Sequence, residues 1–180
     1  MTAVYVITGV MAVGKSTVAD VLARRFERGV HLRGDVFRRF IVAGRAPMTP
    51  DLDDEGVAQL RLRRELAART ADDYWRAGFD VVVQDALIGT ALPQFVDSLT
   101  ATPVYVVVLT ADVRVIAARE RDRPKTGYGA WTAEALQEVF ERETPRIGLW
   151  LDTSLLTPTE TVDEILRRRD DALVRPQGEP

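Results

Sequence analysis

The chain has no cysteine and a single histidine, His31. Disulfides, thiolate metal sites and cysteine nucleophiles are therefore excluded, and one imidazole cannot build a multi-histidine metal cluster. No apolar run approaches the length of a membrane span. The opening "MTAVYVITGV" has neither the basic start nor the small-residue cleavage site of a secretory signal. Charge of one sign is not in excess: 24 basic side chains face 27 acidic ones, which argues against a strongly basic nucleic-acid binder. Internal repeats and low-complexity stretches are missing too. What these absences leave is a cytoplasmic enzyme or binding protein without membrane or nucleic-acid partners. At 180 residues it is long enough to bury a core in one domain.

Five segments rich in β-branched residues alternate with helical patterns: "AVYVIT" (3–8), "GVHLRG" (29–34), "DVVVQ" (80–84), "PVYVVVL" (103–109) and "IGLWL" (147–151). Several are apolar on both faces, as parallel strands covered on each side must be. Between them the apolar spacing predicts helices from Lys15 to Arg28, Val36 to Ala43, Asp54 to Ala77 and Asp112 to Arg123, and a fifth after Thr132. The last begins at "TPTE" (157–160), a threonine cap, a first-turn proline and a glutamate that closes a capping box. This alternation implies a three-layer α/β/α domain over 1–174 with a five-stranded parallel sheet. A short lid is expected around 119–131, its flap "KTGYGAW" at 125–131, and "VRPQGEP" reads as frayed, with 175–180 a flexible tail.

The most specific pattern is Gly9-Val10-Met11-Ala12-Val13-Gly14-Lys15-Ser16-Thr17: glycine, four residues, glycine, lysine, hydroxyl. A polyphosphate needs this order. Backbone N–H groups must wrap the charge, which calls for glycine where a side chain would intrude or φ is positive. The helix that starts near Lys15 offers unpaired N–H groups and the positive end of its dipole. Lys15 can reach the outer phosphates of ATP, and the Ser16 hydroxyl can bind Mg²⁺. Met11 and Val13 make the loop bulky, and both are expected to point away from the phosphates.

Ligands of open α/β sheets sit at the carboxyl ends of the strands. Asp35 follows the second strand and Asp85 the third. If the third strand lies beside the first, Asp85 is about 5 Å from the loop, where a carboxylate suits the Mg²⁺ shell. Asp35, further out, suits proton acceptance from a hydroxyl acceptor. It can also be a plain N-cap for "VFRRFI", and the two aspartates can share or exchange their roles. Arg119 and Arg123, four apart beside the flap, can neutralise phosphates when the lid closes, or simply pair with Glu120 and Asp122. Arg38, one turn after Asp35, suits an anionic or hydroxylated acceptor. Arg64 falls near the centre of an apolar stripe formed by Val57, Leu60, Ala67, Ala71, Tyr74 and Trp75. It must meet a carboxylate, snorkel to the rim or face substrate. His31 and the tryptophans at 75, 131 and 150 read as packing residues, although Trp131 can line a pocket.

Taken with "LRGDVFRR", "VVVQDALIG", "RERDRP" and "LDTSLLTPTETVDEI", the loop makes nearly the whole chain resemble small phosphate-loop kinases of metabolites and antibiotics. The likeness extends to gluconate, shikimate and adenylylsulfate kinases and is greatest to chloramphenicol phosphotransferase. It implies a P-loop NTPase fold of the nucleoside-kinase type, ATP and Mg²⁺ as cofactors, and a monomer or small homo-oligomer acting on a small hydroxyl acceptor. It also implies that Asp35 acts on that hydroxyl, that Arg119 and Arg123 contact phosphates, and that Asp152, Thr153 and Ser154 lie beside adenine. A nucleoside or nucleotide kinase, a toxin-like kinase of nucleotide sugars, and a resistance protein that sequesters ligand without transfer are the alternatives.

Overall fold

A computed structural model describes residues 2–47, 52–121 and 133–176. The expected flap at 125–131, with Trp131, and the end of the tail at 177–180 lie outside these residues. Strand β1 (Val4–Gly9) runs into the glycine loop, and α1 (Lys15–Ala23) follows it. Next come β2 (Gly29–Arg33), α2 (Asp35–Arg39), α3 (Asp54–Arg76), β3 (Asp80–Gln84), α4 (Ala91–Ser98) and β4 (Val104–Thr110). The chain ends with α5 (Val113–Arg121), α6 (Ala133–Glu143), β5 (Leu149–Asp152), α7 (Pro158–Arg167), α8 (Arg169–Ala172) and β6 (Leu173–Arg175).

Five strands are parallel, in the order β2-β3-β1-β4-β5. Helices α1 and α7 pack together, as do α3 and α4, and right-handed crossovers put these two groups on opposite faces of the sheet. Residues Val4 to Ile7, Val81 to Val83 and Val104 to Leu109 form the buried heart of the sheet. Strand β3 neighbours β1, with Ile7 opposite Gln84, so the third strand does lie beside the loop.

The sheet has a sixth strand that the five-strand expectation lacks. β6 is antiparallel and covers the start of β4. Val174 and Arg175, which read as tail, are therefore part of the sheet, and the Arg175 guanidinium donates to the carbonyls of Leu99 (2.6 Å) and Val96 (2.9 Å). Helix α4 was hidden by Pro93. The proline sits in the first turn, where a missing N–H costs nothing. Helix α1 stops at Ala23 rather than Arg28, because the chain tightens into three-residue turns: Arg25 N–H donates to Leu22 and Phe26 N–H to Ala23. The last long helix has the capping box expected at Thr157 and Glu160.

Helix α3 buries Gly56, Gln59, Ala67, Ala68, Ala71 and Asp72 and leaves Val57 and Tyr74 exposed. Its inward face is thus rotated from the apolar stripe, because two polar side chains are fully employed inside. Gln59 donates to the Gly44 carbonyl (2.7 Å) and accepts from Ala46 N–H (3.0 Å), which holds the chain after α2. Asp72 accepts from Thr100 N–H, the Thr100 hydroxyl (2.8 Å) and Ala101 N–H (2.9 Å). Asp72→Ala would strand those donors beneath the helix. We expect it to lower unfolding free energy by about 2–4 kcal/mol in a urea titration; a loss below about 0.5 kcal/mol would show that water replaces the carboxylate freely.

Candidate active site

The glycine loop is shaped by its neighbours and by its dihedral angles. Gly9 has φ 144°, and a Cβ there would lie 2.4 Å from the Leu109 carbonyl oxygen, because β1 and β4 run in register to that point. Gly14 has φ 107°, and a Cβ there would meet only a terminal nitrogen of Arg119, at an unstrained 3.9 Å, so its constraint is conformational. Ala12 takes φ 61°, completing a turn that aims main-chain amides inward. Val10 and Val13 are buried in the core, which matches the expectation for Val13. Helix α1 begins at Lys15 with no side chain capping it, so its first amides and dipole are directed at the loop. The Lys15 ammonium folds back on the carbonyls of Gly9 (2.8 Å) and Val10 (2.7 Å).

Ser16 and Thr17 open the helix, and the Ser16 hydroxyl donates to Gln84 Oε1 at 3.2 Å. This position was expected for Asp85. Successive side chains of an extended strand point to opposite faces, and the extended run continues through Asp85, whose N–H donates to Ile7. Gln84 therefore faces α1, and Asp85 faces α3. The buried Asp85 carboxylate receives a two-pronged ion pair from Arg63, through Nε at 3.0 Å and through a terminal nitrogen. It also accepts from Ala86 N–H at 2.7 Å. The structure thus does not bring Asp85 to Ser16; Gln84 is the residue that reasoning on charge alone missed. The fit is tight: a Cβ on Gly34 would lie 2.2 Å from Asp85 Oδ2.

Asp35 stands at the carboxyl end of β2, two strands from the loop. The cap of α2 is Gly34 without a side-chain bond, so Asp35 is the first helical residue and not the N-cap. Its carboxylate is 33% exposed. It accepts from Arg33 at 3.3 and 3.4 Å and from Arg39. Arg38 donates to the Ala46 carbonyl, and burial, with Arg45 nearby, pushes its guanidinium pKa down. Arg63 is buried more deeply. Burial lowers its guanidinium to about 10 against the opposing pull of Asp35, with Arg64 and Arg38 adding to the lowering. It therefore stays charged at neutral pH. Arg64 itself is pushed down by burial.

On the other side of the loop, Arg119 in α5 donates to the Val13 carbonyl (2.9 Å), to Thr153 Oγ1 (3.4 Å) and to the Thr153 carbonyl (3.1 Å). It joins the glycine loop to the segment after β5. In that segment Asp152 accepts from Ser154 N–H (2.8 Å) and its hydroxyl (2.5 Å), and Ser154 Oγ accepts from Asp112 N–H (2.7 Å). The expected phosphate and adenine residues are thus one connected unit. Arg123 lies outside the described residues. A groove of about 570 Å³ beside α7 shares Asp152 and Ser154. Its further lining by Glu160, Asp163 and Glu164 makes it unsuited to phosphates. His31 sits on β2, its Nδ1 3.7 Å from Asp20, and burial pushes its pKa down.

A phosphate-loop α/β protein is the class that this fold and loop define. The profile of a family described as an AAA domain matches residues 4–147, and the chain belongs to that family. No curated protein matches the sequence significantly. Among solved structures, it is similar to the Mycobacterium tuberculosis APS kinase in complex with AMPPNP and APS. That pair has 16% identity and a TM-score of 0.70, over 94% of this chain and 98% of that one. The Deinococcus radiodurans tunicamycin resistance protein matches at 15% identity and TM-score 0.66, covering 98% and 100%. A gluconokinase from Sinorhizobium meliloti 1021 matches at 23% and 0.57, covering 95% and 89%. At these identities the likeness is one of fold, that of small-molecule P-loop kinases. No described helix is long and apolar enough to cross a membrane.

Proposed function

We propose that the protein is an ATP-dependent phosphotransferase that moves the γ-phosphoryl group of ATP to a hydroxyl of a small acceptor. The observation that carries this reading is the cradle itself: Gly9 to Thr17 at the end of β1, with Lys15 folded over it and Arg119 docked on its rim. An anion entering the loop would draw Lys15 from its two carbonyls towards the β- and γ-oxygens. Asp152 to Ser154, tied to Arg119 through Thr153, would lie beside the base.

Ser16 and Gln84 supply a hydroxyl and an amide oxygen 3.2 Å apart. This oxygen set fits Mg²⁺, which keeps waters and phosphate oxygens in most of its six positions. Bound there, the ion would offset charge on the phosphates. Asp85 would act at one remove, by fixing Arg63.

At the other end of the cleft, Asp35 would accept the proton of the acceptor hydroxyl. That oxygen forms a bond to the γ-phosphorus as the bond to the β–γ bridging oxygen breaks, and ADP leaves with the electron pair. The main chain and Arg119 would hold the phosphates still while this happens.

Arg119→Ala should therefore weaken ATP binding by about tenfold or more, read by titration with a fluorescent ATP analogue. Unchanged affinity would place Arg119 in a purely structural role. The reading as a whole is tested by screening hydroxylated metabolites and antibiotics for ATP consumption, with each product confirmed by mass. A phosphorylated acceptor supports it. ATP-dependent ligand retention without any phosphorylated product would favour sequestration instead, and stimulation confined to nucleosides would identify a nucleoside kinase.

A further inference from the structure

Arg33 is the last residue of β2, and the strand decides which way its side chain leaves the sheet. It is the register partner of Gln84 across the parallel β2–β3 pair, and paired residues of neighbouring strands project from the same face. That face is the one covered by α1. Gln84 meets Ser16 there, and His31, two residues before Arg33, sits 3.7 Å from Asp20 of the same helix. Asp85, on the opposite face, is taken by Arg63 of α3. Arg33 therefore starts one strand spacing, about 4.8 Å, from the residue that holds the Ser16 hydroxyl. An arginine side chain is longer than that gap.

Its guanidinium is held elsewhere, and lightly. It bends back to Asp35, with Nε 3.3 Å from Oδ1 and a terminal nitrogen 3.4 Å from Oδ2. A charge-assisted N–H···O bond closes to about 2.7–2.9 Å. With the two side chains 43% and 33% exposed, the pair contributes little in water, so leaving Asp35 costs little. Its departure also changes what Asp35 can do. Arg39 keeps the carboxylate by Oδ2, whereas Oδ1 has Arg33 as its donor among the described residues. Beside Ser16, the Gln84 amide offers a guanidinium an oxygen without a charge, so Gln84 does not hold Arg33 as a carboxylate would.

We propose that Arg33 is a further catalytic residue, which moves from Asp35 to the γ-phosphoryl group when ATP binds and accompanies that group to the acceptor. This rests on the phosphotransferase reading above and extends it. The acceptor oxygen gains the bond to phosphorus, ADP leaves with the electron pair of the broken bond, and the hydroxyl proton goes to Asp35 Oδ1, which Arg33 has vacated. Arg33 stays protonated throughout. Its planar fork grips two phosphoryl oxygens and offsets the charge that shifts between them. One side chain thus links the two ends of the cleft: Asp35 is opened to the acceptor when a terminal phosphate is in place. ADP lacks that phosphate and leaves Arg33 where it is.

The test compares two nucleotides that differ at the terminal phosphate. Mg²⁺ complexes of ADP and of a non-hydrolysable ATP analogue are titrated calorimetrically into wild type, Arg33→Gln and Arg33→Lys, each checked for folding by circular dichroism. Arg33→Gln should weaken the analogue by about tenfold or more and leave ADP unchanged; Arg33→Lys, which keeps the charge without the fork, should lose less. A second readout uses the wild-type protein. The Nε–H resonance of Arg33, assigned by its absence from Arg33→Lys, should move with the analogue and stay in place with ADP. The proposal is overturned if Arg33→Gln binds the analogue like wild type, if it loses analogue and ADP equally, or if the resonance answers both nucleotides alike. Each of these results leaves nucleotide binding, and with it the phosphotransferase reading, intact. Failure of both nucleotides to bind wild type would remove that reading and this proposal with it.

Discussion

Lys15→Ala is expected to lower phosphoryl transfer by about 10²–10³-fold without loosening the fold. The ammonium sits 2.8 Å from the Gly9 carbonyl and 2.7 Å from that of Val10, at the end of β1, and water entering the space that the side chain leaves can take over those two carbonyls. In the presence of nucleotide the same group would be the only side-chain cation of the loop, poised to follow charge as it moves on to the bridging oxygen. A positioned cation in a partly dry cleft is worth more to the transition state than to bound ATP. The turnover number should therefore fall further than the affinity. Single-turnover rates and nucleotide titration, made on the same preparations, separate the two. A variant that binds ATP normally and transfers it at the wild-type rate would mean that Lys15 is a structural bridge between loop carbonyls.

Asp35→Asn is the second large effect. If Asp35 accepts the acceptor proton, replacing its carboxylate by a near-isosteric amide should cut turnover by about 10²–10⁴-fold and leave nucleotide affinity unchanged, since Asp35 lies two strands away from the loop. Geometry makes this a clean substitution. Asp35 does not cap its helix, so α2 keeps its cap. Its partners Arg33 and Arg39 are surface side chains, 43% and 58% exposed, that contribute little as ion pairs in water. Stability should shift by less than about 1 kcal/mol. Full activity of Asp35→Asn on a verified acceptor would remove the proton-accepting role and shift attention to the phosphate end, where little else could serve.

How much of this was visible in the residues differs from element to element. The strand–loop–helix run around Gly9 to Thr17 could be read directly, because its glycines, lysine and hydroxyl are each demanded by one local geometry. The placement of β3 beside β1 was expected only through the likeness to phosphate-loop kinases, since alternation of strands and helices does not fix the strand order. Asp85 could be placed at the right sheet edge but not on the correct face, since a shift of one residue along a strand reverses the direction of a side chain. Gln84 took the position beside Ser16, and no rule based on charge would have selected an amide. On α3 the apolar periodicity pointed at Arg64 as the central cation, whereas Arg63 makes the buried ion pair. Gln59 and Asp72 are buried because their hydrogen bonds are complete, and periodicity counts them as surface. Pro93 and Arg175 misled for a related reason: each belongs to a class that marks breaks or tails, and each is placed where its chemistry is accommodated.

The central claim is that the loop delivers the terminal phosphoryl group of ATP to an alcohol oxygen held near Asp35. Phosphorus NMR of the wild-type protein with Mg²⁺, ATP and a pooled set of hydroxylated metabolites and antibiotics addresses it most directly. The account predicts a new phosphomonoester resonance that grows in step with ADP and is absent with Lys15→Ala. ADP accompanied only by inorganic phosphate, or ATP left intact across the pool, would contradict it.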